Sequence, residues 1–259
     1  MSDQVSGDVG SLQGKVALIT GAGGVIGSAT ANLLARRGAR IVAVDHPATD
    51  RSLLRSRLHA ANDALFLDAE ATKPADIVAC VERAIAAFGR IDIFFNNAGI
   101  EGPQAAIADY PVDDFRRILD VNVVGVFLGL QAVMPVMIAQ GAGSIINTCS
   151  IAGMIGAPKM AGYIASKHAV LGLTRVAALE AAPAGVRVNS VHPGFIQSRM
   201  LSDIATRLGG DAEGLAAGVP AGRLGTPEEV ARAVAFLASD ESSYMNGAAL
   251  VLDGGVTVP

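Results

Sequence analysis

Seven short apolar runs, alternating with helical stretches and mostly ending on polar residues, constrain this chain more than any other property. Residues 15–20 (KVALIT) favour a strand, and Gly21-Ala22-Gly23-Gly24-Val25-Ile26-Gly27 follows at once. A helical pattern then runs to Arg37, Gly38 stops it, and a second strand from Arg40 ends at Asp45. Strand, glycine turn, helix, strand is one βαβ unit, the crossover that two parallel strands require. Further strands are predicted at 64–67, ending at Asp68, at 91–95, running into Asn96, and at 143–148, 186–191 and 248–252. Ile77, Val81, Ile85 and Phe88 recur at helical spacing before Gly89. Thr226-Pro227-Glu228-Glu229 has the N-cap, the N1 proline and the N3 glutamate of a helix start.

Such alternation predicts the α/β class: a single-domain, Rossmann-type, doubly wound parallel sheet of about seven strands flanked by helices. The polar stretch 1–11 reads as a flexible tail without an apolar signal-peptide core, and 12–259 as one undivided domain. Apolar residues make up 51% of the 259 and charged ones 17%, so a large core is easily supplied. The net charge of −4 with no basic block argues against nucleic acid as a partner. Cys80 and Cys149 lie in apolar patterns and suit buried thiols in a reducing, cytoplasmic setting. His46, His59, His168 and His192 lack metal-ligand spacing, so no metal site is expected. Residues 123–139 are apolar except for Gln131. Asp120 and Asn122 just before them, Pro135 within and the lack of basic flanks favour a buried central helix over a membrane span.

In open parallel sheets ligands bind beyond the carboxyl ends of the strands, where the glycine turn, Asp45, Asp68, Asn96, Ser150 and Pro193-Gly194 all fall. A glycine turn before a helix lets a pyrophosphate reach backbone N–H groups. It departs from G-x-G-x-x-G at Ile26, and taken alone it serves tight helix–strand packing equally well. Asp45, 18 residues past Gly27, is placed to accept both ribose hydroxyls and to repel a 2′-phosphate, which favours NAD over NADP. Tyr163 and Lys167, four apart on a helix predicted over 161–180, share one face. A nearby ammonium is expected to lower the phenol's pKa and make Tyr163 a proton-transfer group. Viewed alone, such a pair is more commonly a half-buried ring beside a solvated charge, and only the rest of the set makes it a site.

The ordered set from Thr20-Gly21 to Gly27, Asp68, Asn96-Asn97-Ala98-Gly99, Asn122, Ser150, Tyr163-x-x-x-Lys167, Asn189-x-x-x-Pro193-Gly194, Ile196 and Ser198 resembles the short-chain dehydrogenase/reductase family. The resemblance spans about 12–255. It implies Tyr163 as general acid/base, Ser150 as hydrogen-bond donor to the reacting oxygen, and Lys167 as holder of the nicotinamide ribose. Asn122 would anchor a water beyond Lys167. The dinucleotide would meet Gly21, Gly23, Gly24, Val25, Ile26, Gly27, Asp45, Asp68 (at the adenine amino group), Ala69, Asn96, Ala98, Gly99, Tyr163, Lys167, Pro193, Gly194, Ile196 and Ser198. Substrate would meet Ser150, Ala152, Tyr163 and Phe195. Val25 occupies the family's middle glycine position, where a β-branched residue must keep a negative φ and adds bulk.

The expected pocket walls, at 100–108, 150–160 and 195–208, are mainly apolar and carry no arginine pair. A neutral, fairly apolar secondary alcohol or ketone fits them, as in family members acting on cyclic alcohols, diols or steroids. The alternative is a dinucleotide-binding sensor or scaffold without turnover. A homo-oligomer, dimer or tetramer, is expected from the apolar helix at 123–139.

Overall fold

The computed structural model describes residues 10–59, 64–198, 201 and 212–258. Seven strands form one parallel sheet: β1 (Val16–Thr20), β2 (Arg40–Asp45), β3 (Leu65–Asp68), β4 (Ile93–Asn96), β5 (Gly143–Thr148), β6 (Val186–Pro193) and β7 (Ala249–Leu252). Their order is β3-β2-β1-β4-β5-β6-β7. The winding reverses between β1 and β4, and this switch point opens the crevice in which such sheets bind ligands.

Both faces are covered, so the strands read as unbroken apolar runs instead of alternating ones. Val16 and Leu18 of β1 enter the core under α3 (Pro74–Phe88), α5 (Gly125–Gln140) and α6 (Ala161–Ala181), while Ala17 and Ile19 enter the opposite one. That second core is closed by α1 (Val25–Arg36), α2 (Ser52–His59) and α8 (Pro227–Ala238). Gly89 and Gly141 end α3 and α5 in left-handed conformations, with φ of 78° and 69°. Thr226 and Glu229 form a reciprocal capping box at the start of α8, as the sequence pattern predicts.

Helix α4 (Val112–Leu119), a π-helical segment Asp120–Val124 and α5 form one continuous helix of 29 residues. By length and composition alone it would cross a membrane. Here Leu128, Leu130, Val133 and Met137 are buried in the core, whereas Val124, Phe127 and Ile138 are exposed.

Two short helices have no counterpart in the sequence pattern: α2 and α7 (Ala212–Ala217). Helix α2 buries little more than Leu54 and Leu58, one turn apart, which is too short a stripe for periodicity to reveal. Of the pocket wall expected at 195–208, positions 199–200 and 202–208 lie outside the described residues, as does most of the tail. Leu12, where the domain was expected to begin, is buried and its N–H donates to the Arg37 carbonyl at 2.8 Å.

Candidate active site

A cavity of about 1190 Å³ runs from the glycine turn to α6. At its near end Gly21 has φ +64°, which favours glycine. A Cβ on Gly27 would lie 2.1 Å from the Gly21 carbonyl oxygen, so only glycine lets α1 rise this close to β1. The first-turn N–H groups of α1 therefore open into the cavity as an anion-binding end. Val25 is the first residue of α1, has no positive φ, and is 44% exposed at the cavity wall.

Asp45 ends β2. Its Oδ2 accepts the Gly23 N–H at 2.7 Å, while Oδ1 accepts the His46 N–H at 2.7 Å and the Thr49 hydroxyl at 2.8 Å. The carboxylate is thus pre-oriented, and a ribose hydroxyl would join or displace these donors. Asp68 ends β3 beside Asp45; Arg51 forms an ion pair with it and donates to the Leu67 carbonyl at 2.7 Å. The neighbouring Ala69 takes the wall position, its N–H bonded to the Asp45 carbonyl at 2.9 Å.

At the middle of the cavity the end of β4 is tied to β1 and β5. The Thr20 hydroxyl oxygen accepts the N–H groups of Asn97 and Ala98, and Asn97 Nδ2 donates to the carbonyls of Thr20 and Gly21. Asn97 Oδ1 accepts the Thr148 hydroxyl at 3.0 Å. Ala98 and Gly99 form the wall. Asn96 is buried behind it, donating to the Val126 carbonyl and so pinning α5 to the sheet.

Asn122 sits in the π-helical segment and is fully buried. Its Oδ1 accepts the Ile100 N–H at 2.8 Å; its Nδ2 donates to the Ile100 carbonyl at 2.8 Å and to Ser166 Oγ at 3.0 Å. Both amide hydrogens are therefore bonded to protein. Ser166 in turn donates to the Tyr163 carbonyl at 2.7 Å. Asn122 is a rivet between the loop after β4 and α6.

Tyr163 and Lys167 line the far end of the cavity. Lys167 is 4% exposed; its Nζ donates to the Thr148 carbonyl at 2.9 Å and lies 5.5 Å from the centre of the Tyr163 ring. The expected depression of the phenol's pKa is reversed. Burial pushes Tyr163 up to about 12, against the opposing hydrogen bond from Ser150. Burial also pulls the Lys167 ammonium below its usual pKa. Desolvation disfavours both charged forms and outweighs the proximity on which the sequence argument relied.

Ser150 stands just before a 3₁₀ turn, Ile151–Gly153; its hydroxyl accepts the Ala152 N–H at 3.2 Å and donates to the Pro193 carbonyl at 3.3 Å. That long donor bond is readily exchanged for one to a substrate oxygen. Ile196 and Ser198 also line the cavity, and Asn96 and Asn122 are buried behind it. Ala152 is buried, and Gly194 is packed so closely that a Cβ would meet the Asp253 backbone at 2.8 Å. Met154 and Ile155, 45% and 38% exposed, supply apolar surface just past Ser150. Sequence reasoning passed over Thr49, Arg51, Thr148 and Ser166. Of these only Thr148 carries a signal, as a polar residue closing an apolar strand. Among the described residues no cluster of three His, Cys, Asp or Glu side chains could hold a metal ion.

The donor set fits a dinucleotide: a cradle that a Cβ would fill, a carboxylate at the end of β2, and a phenol and an ammonium at the far end. The comparisons agree. A family model described as enoyl-(acyl carrier protein) reductase matches residues 21–257. Cyclohexanol dehydrogenase of Acinetobacter sp. is 43% identical over 249 residues, covering 94% of this chain and 95% of that protein. The 3-alpha-(or 20-beta)-hydroxysteroid dehydrogenase of Mycobacterium tuberculosis is 41% identical, covering 95% and 90%. The structure of NAD+-bound xylitol dehydrogenase superposes with a TM-score of 0.90 at 38% identity, covering 94% of this chain and 99% of that one. In fold and over nearly its whole length, the chain belongs to the short-chain dehydrogenase/reductase family of nicotinamide-dependent oxidoreductases.

Proposed function

We propose that the protein interconverts a neutral, fairly apolar secondary alcohol, cyclic, diol or steroid-like, and its ketone, using NAD(H). The observation that carries this reading is the half-buried phenol of Tyr163 beside the buried Lys167, at the far end of a cavity whose near end holds the glycine turn and Asp45. When bound, the nicotinamide ring supplies the hydride acceptor or donor. Tyr163 takes the alcohol's proton or returns it to the ketone oxygen, and Ser150 hydrogen-bonds that same oxygen. Lys167 holds the ribose and offsets the charge of the phenolate as it forms. Asp45 accepts the adenosine ribose hydroxyls and opposes a 2′-phosphate, which supports NAD over NADP.

Apolar Met154 and Ile155 support a substrate without formal charge, and the named activities of the cyclohexanol and hydroxysteroid dehydrogenases above are of that kind. We read the exposed Phe127, Ile138, Val176 and Leu179 as a subunit contact, which light scattering tests directly. The buried thiols of Cys80 and Cys149 suit a reducing, cytoplasmic setting.

The test of function is a screen of NADH and NADPH oxidation against cyclic, bicyclic and steroid ketones, with an enoyl thioester alongside. Turnover of cyclic ketones with NADH is expected, reduced about 10²- to 10⁴-fold in Tyr163→Phe. Near-normal turnover by that variant would sink the assignment. Tighter binding of NADPH than of NADH would refute the role given to Asp45.

A further inference from the structure

We propose that His192 is a positioning residue for the reaction: it clamps the backbone of Ser150 and so aims the Ser150 hydroxyl at the reacting oxygen. The inference rests on the reading of Ser150 and Tyr163 given above.

His192 is the next-to-last residue of β6 and is fully buried. Its Nδ1 lies 2.9 Å from the Ser150 carbonyl oxygen and its Nε2 2.8 Å from Ser190 Oγ. A carbonyl oxygen only accepts, so Nδ1 must carry the hydrogen. Burial pulls the imidazole's pKa below its usual value and keeps the ring neutral. Nε2 is then the acceptor, taking the Ser190 hydroxyl hydrogen. The tautomer is dictated by the two partners.

The far partner is rigid. Ser190 is fully buried in β6, and its N–H donates to the Ala248 carbonyl at 2.9 Å, next to β7. Ser150, in contrast, lies beyond the end of β5. The Cys149 N–H before it is bonded to the Val191 carbonyl at 2.9 Å. The Ser150 carbonyl is gripped from one side by the Gly153 N–H at 2.9 Å and from the other by His192. Residue 193, the next in the chain, supplies the carbonyl that receives the Ser150 hydroxyl. Two consecutive residues of β6 thus fix both the backbone and the side chain of Ser150. In the sequence His192 is seen only to lack metal-ligand spacing and to precede Pro193-Gly194. Its contacts place it behind the serine. Misaligning a hydrogen-bond donor by about 1 Å costs on the order of a hundredfold in rate, so the clamp matters for turnover even where it matters little for folding.

The variants His192→Leu, His192→Asn and His192→Gln separate these roles, with Ser150→Ala as reference, each measured for kcat, KM for NADH and melting temperature. An Asn amide nitrogen branches from the same Cγ as Nδ1 and can reach the Ser150 carbonyl, while a Gln amide reaches the Nε2 side. We expect kcat to fall about ten- to a hundredfold in Leu and Gln and to be largely restored in Asn. KM for NADH should stay within about twofold throughout, because His192 itself contacts Ser150 and Ser190 and neither the glycine turn nor Asp45. Should the Leu variant fail to fold, the Asn–Gln pair still decides: equal kcat for the two overturns the proposal. Wild-type kcat in folded His192→Leu, beside a slow Ser150→Ala, overturns the clamp and leaves the site intact. Full turnover by Ser150→Ala overturns the reading of the site, and the clamp with it.

Discussion

The near end of the cavity presents mainly backbone: the Gly21 turn, the first turn of α1, and one carboxylate, Asp45, whose three donors are already in place. The far end presents two ionisable side chains, the half-buried Tyr163 and the buried Lys167. Tyr163 is pushed up and Lys167 pulled down by the same burial, and the ammonium's hydrogen-bond partner is a carbonyl, not a carboxylate. One end recognises charge at little desolvation cost, since the helix terminus is already polarised and open to solvent. The other holds two groups away from water, so that each is poised towards its neutral form until a ligand compensates. Binding affinity and chemical activation are thereby separated along one cavity, and substitutions at the two ends should fail differently.

Lys167→Met should give the largest contrast. Loss of the ammonium is expected to lower kcat by about 10²- to 10⁴-fold. Melting temperature should hold or rise, because a buried charge without a counter-charge costs stability that an apolar side chain of similar length does not. A variant that melts much earlier would show that Lys167 is there for the fold.

The pH profile comes next. Alcohol oxidation needs Tyr163 without its proton, and with the phenol near pKa 12 that form is scarce at neutral pH. The oxidation rate should therefore climb about tenfold per pH unit between about pH 7 and 10, while ketone reduction, which uses the protonated phenol, stays nearly flat. An oxidation plateau already reached near pH 7 would mean that bound dinucleotide undoes the effect of burial.

At the near end, Gly27→Ala drives a Cβ into the Gly21 backbone carbonyl. A loss of about 1–3 kcal/mol in stability and a weakened dinucleotide complex are expected, read by denaturant unfolding and NADH titration. Unchanged NADH affinity would break the assignment of this turn. The smallest effect is expected from Val25→Gly: Val25 is half exposed and already helical, so restoring glycine should cost at most about 1 kcal/mol. NADH affinity should shift only slightly, whereas a large gain would show that the valine obstructs the pyrophosphate.

By itself the sequence determined the sheet, its direction and the positions that reach its open edge. These follow from local properties: β-branched runs, glycine stops, a capping box at Thr226, and a crossover that parallel strands cannot avoid. It also determined the chemistry on offer, since Asp45, Ser150, Tyr163 and Lys167 are recognisable by type and spacing. Partners distant in the chain were beyond its reach. Asp68 is held by Arg51, 17 residues earlier. Asn122 spends its amide on Ile100, 22 residues away, and His192 reaches Ser150 across 42. No periodicity encodes such pairs, because they form only once the strands have set their register. The sign of the Tyr163 shift was decided by tertiary structure alone. Proximity of a lysine can be read from i and i+4, but desolvation depends on everything packed around them, and here it is the larger effect.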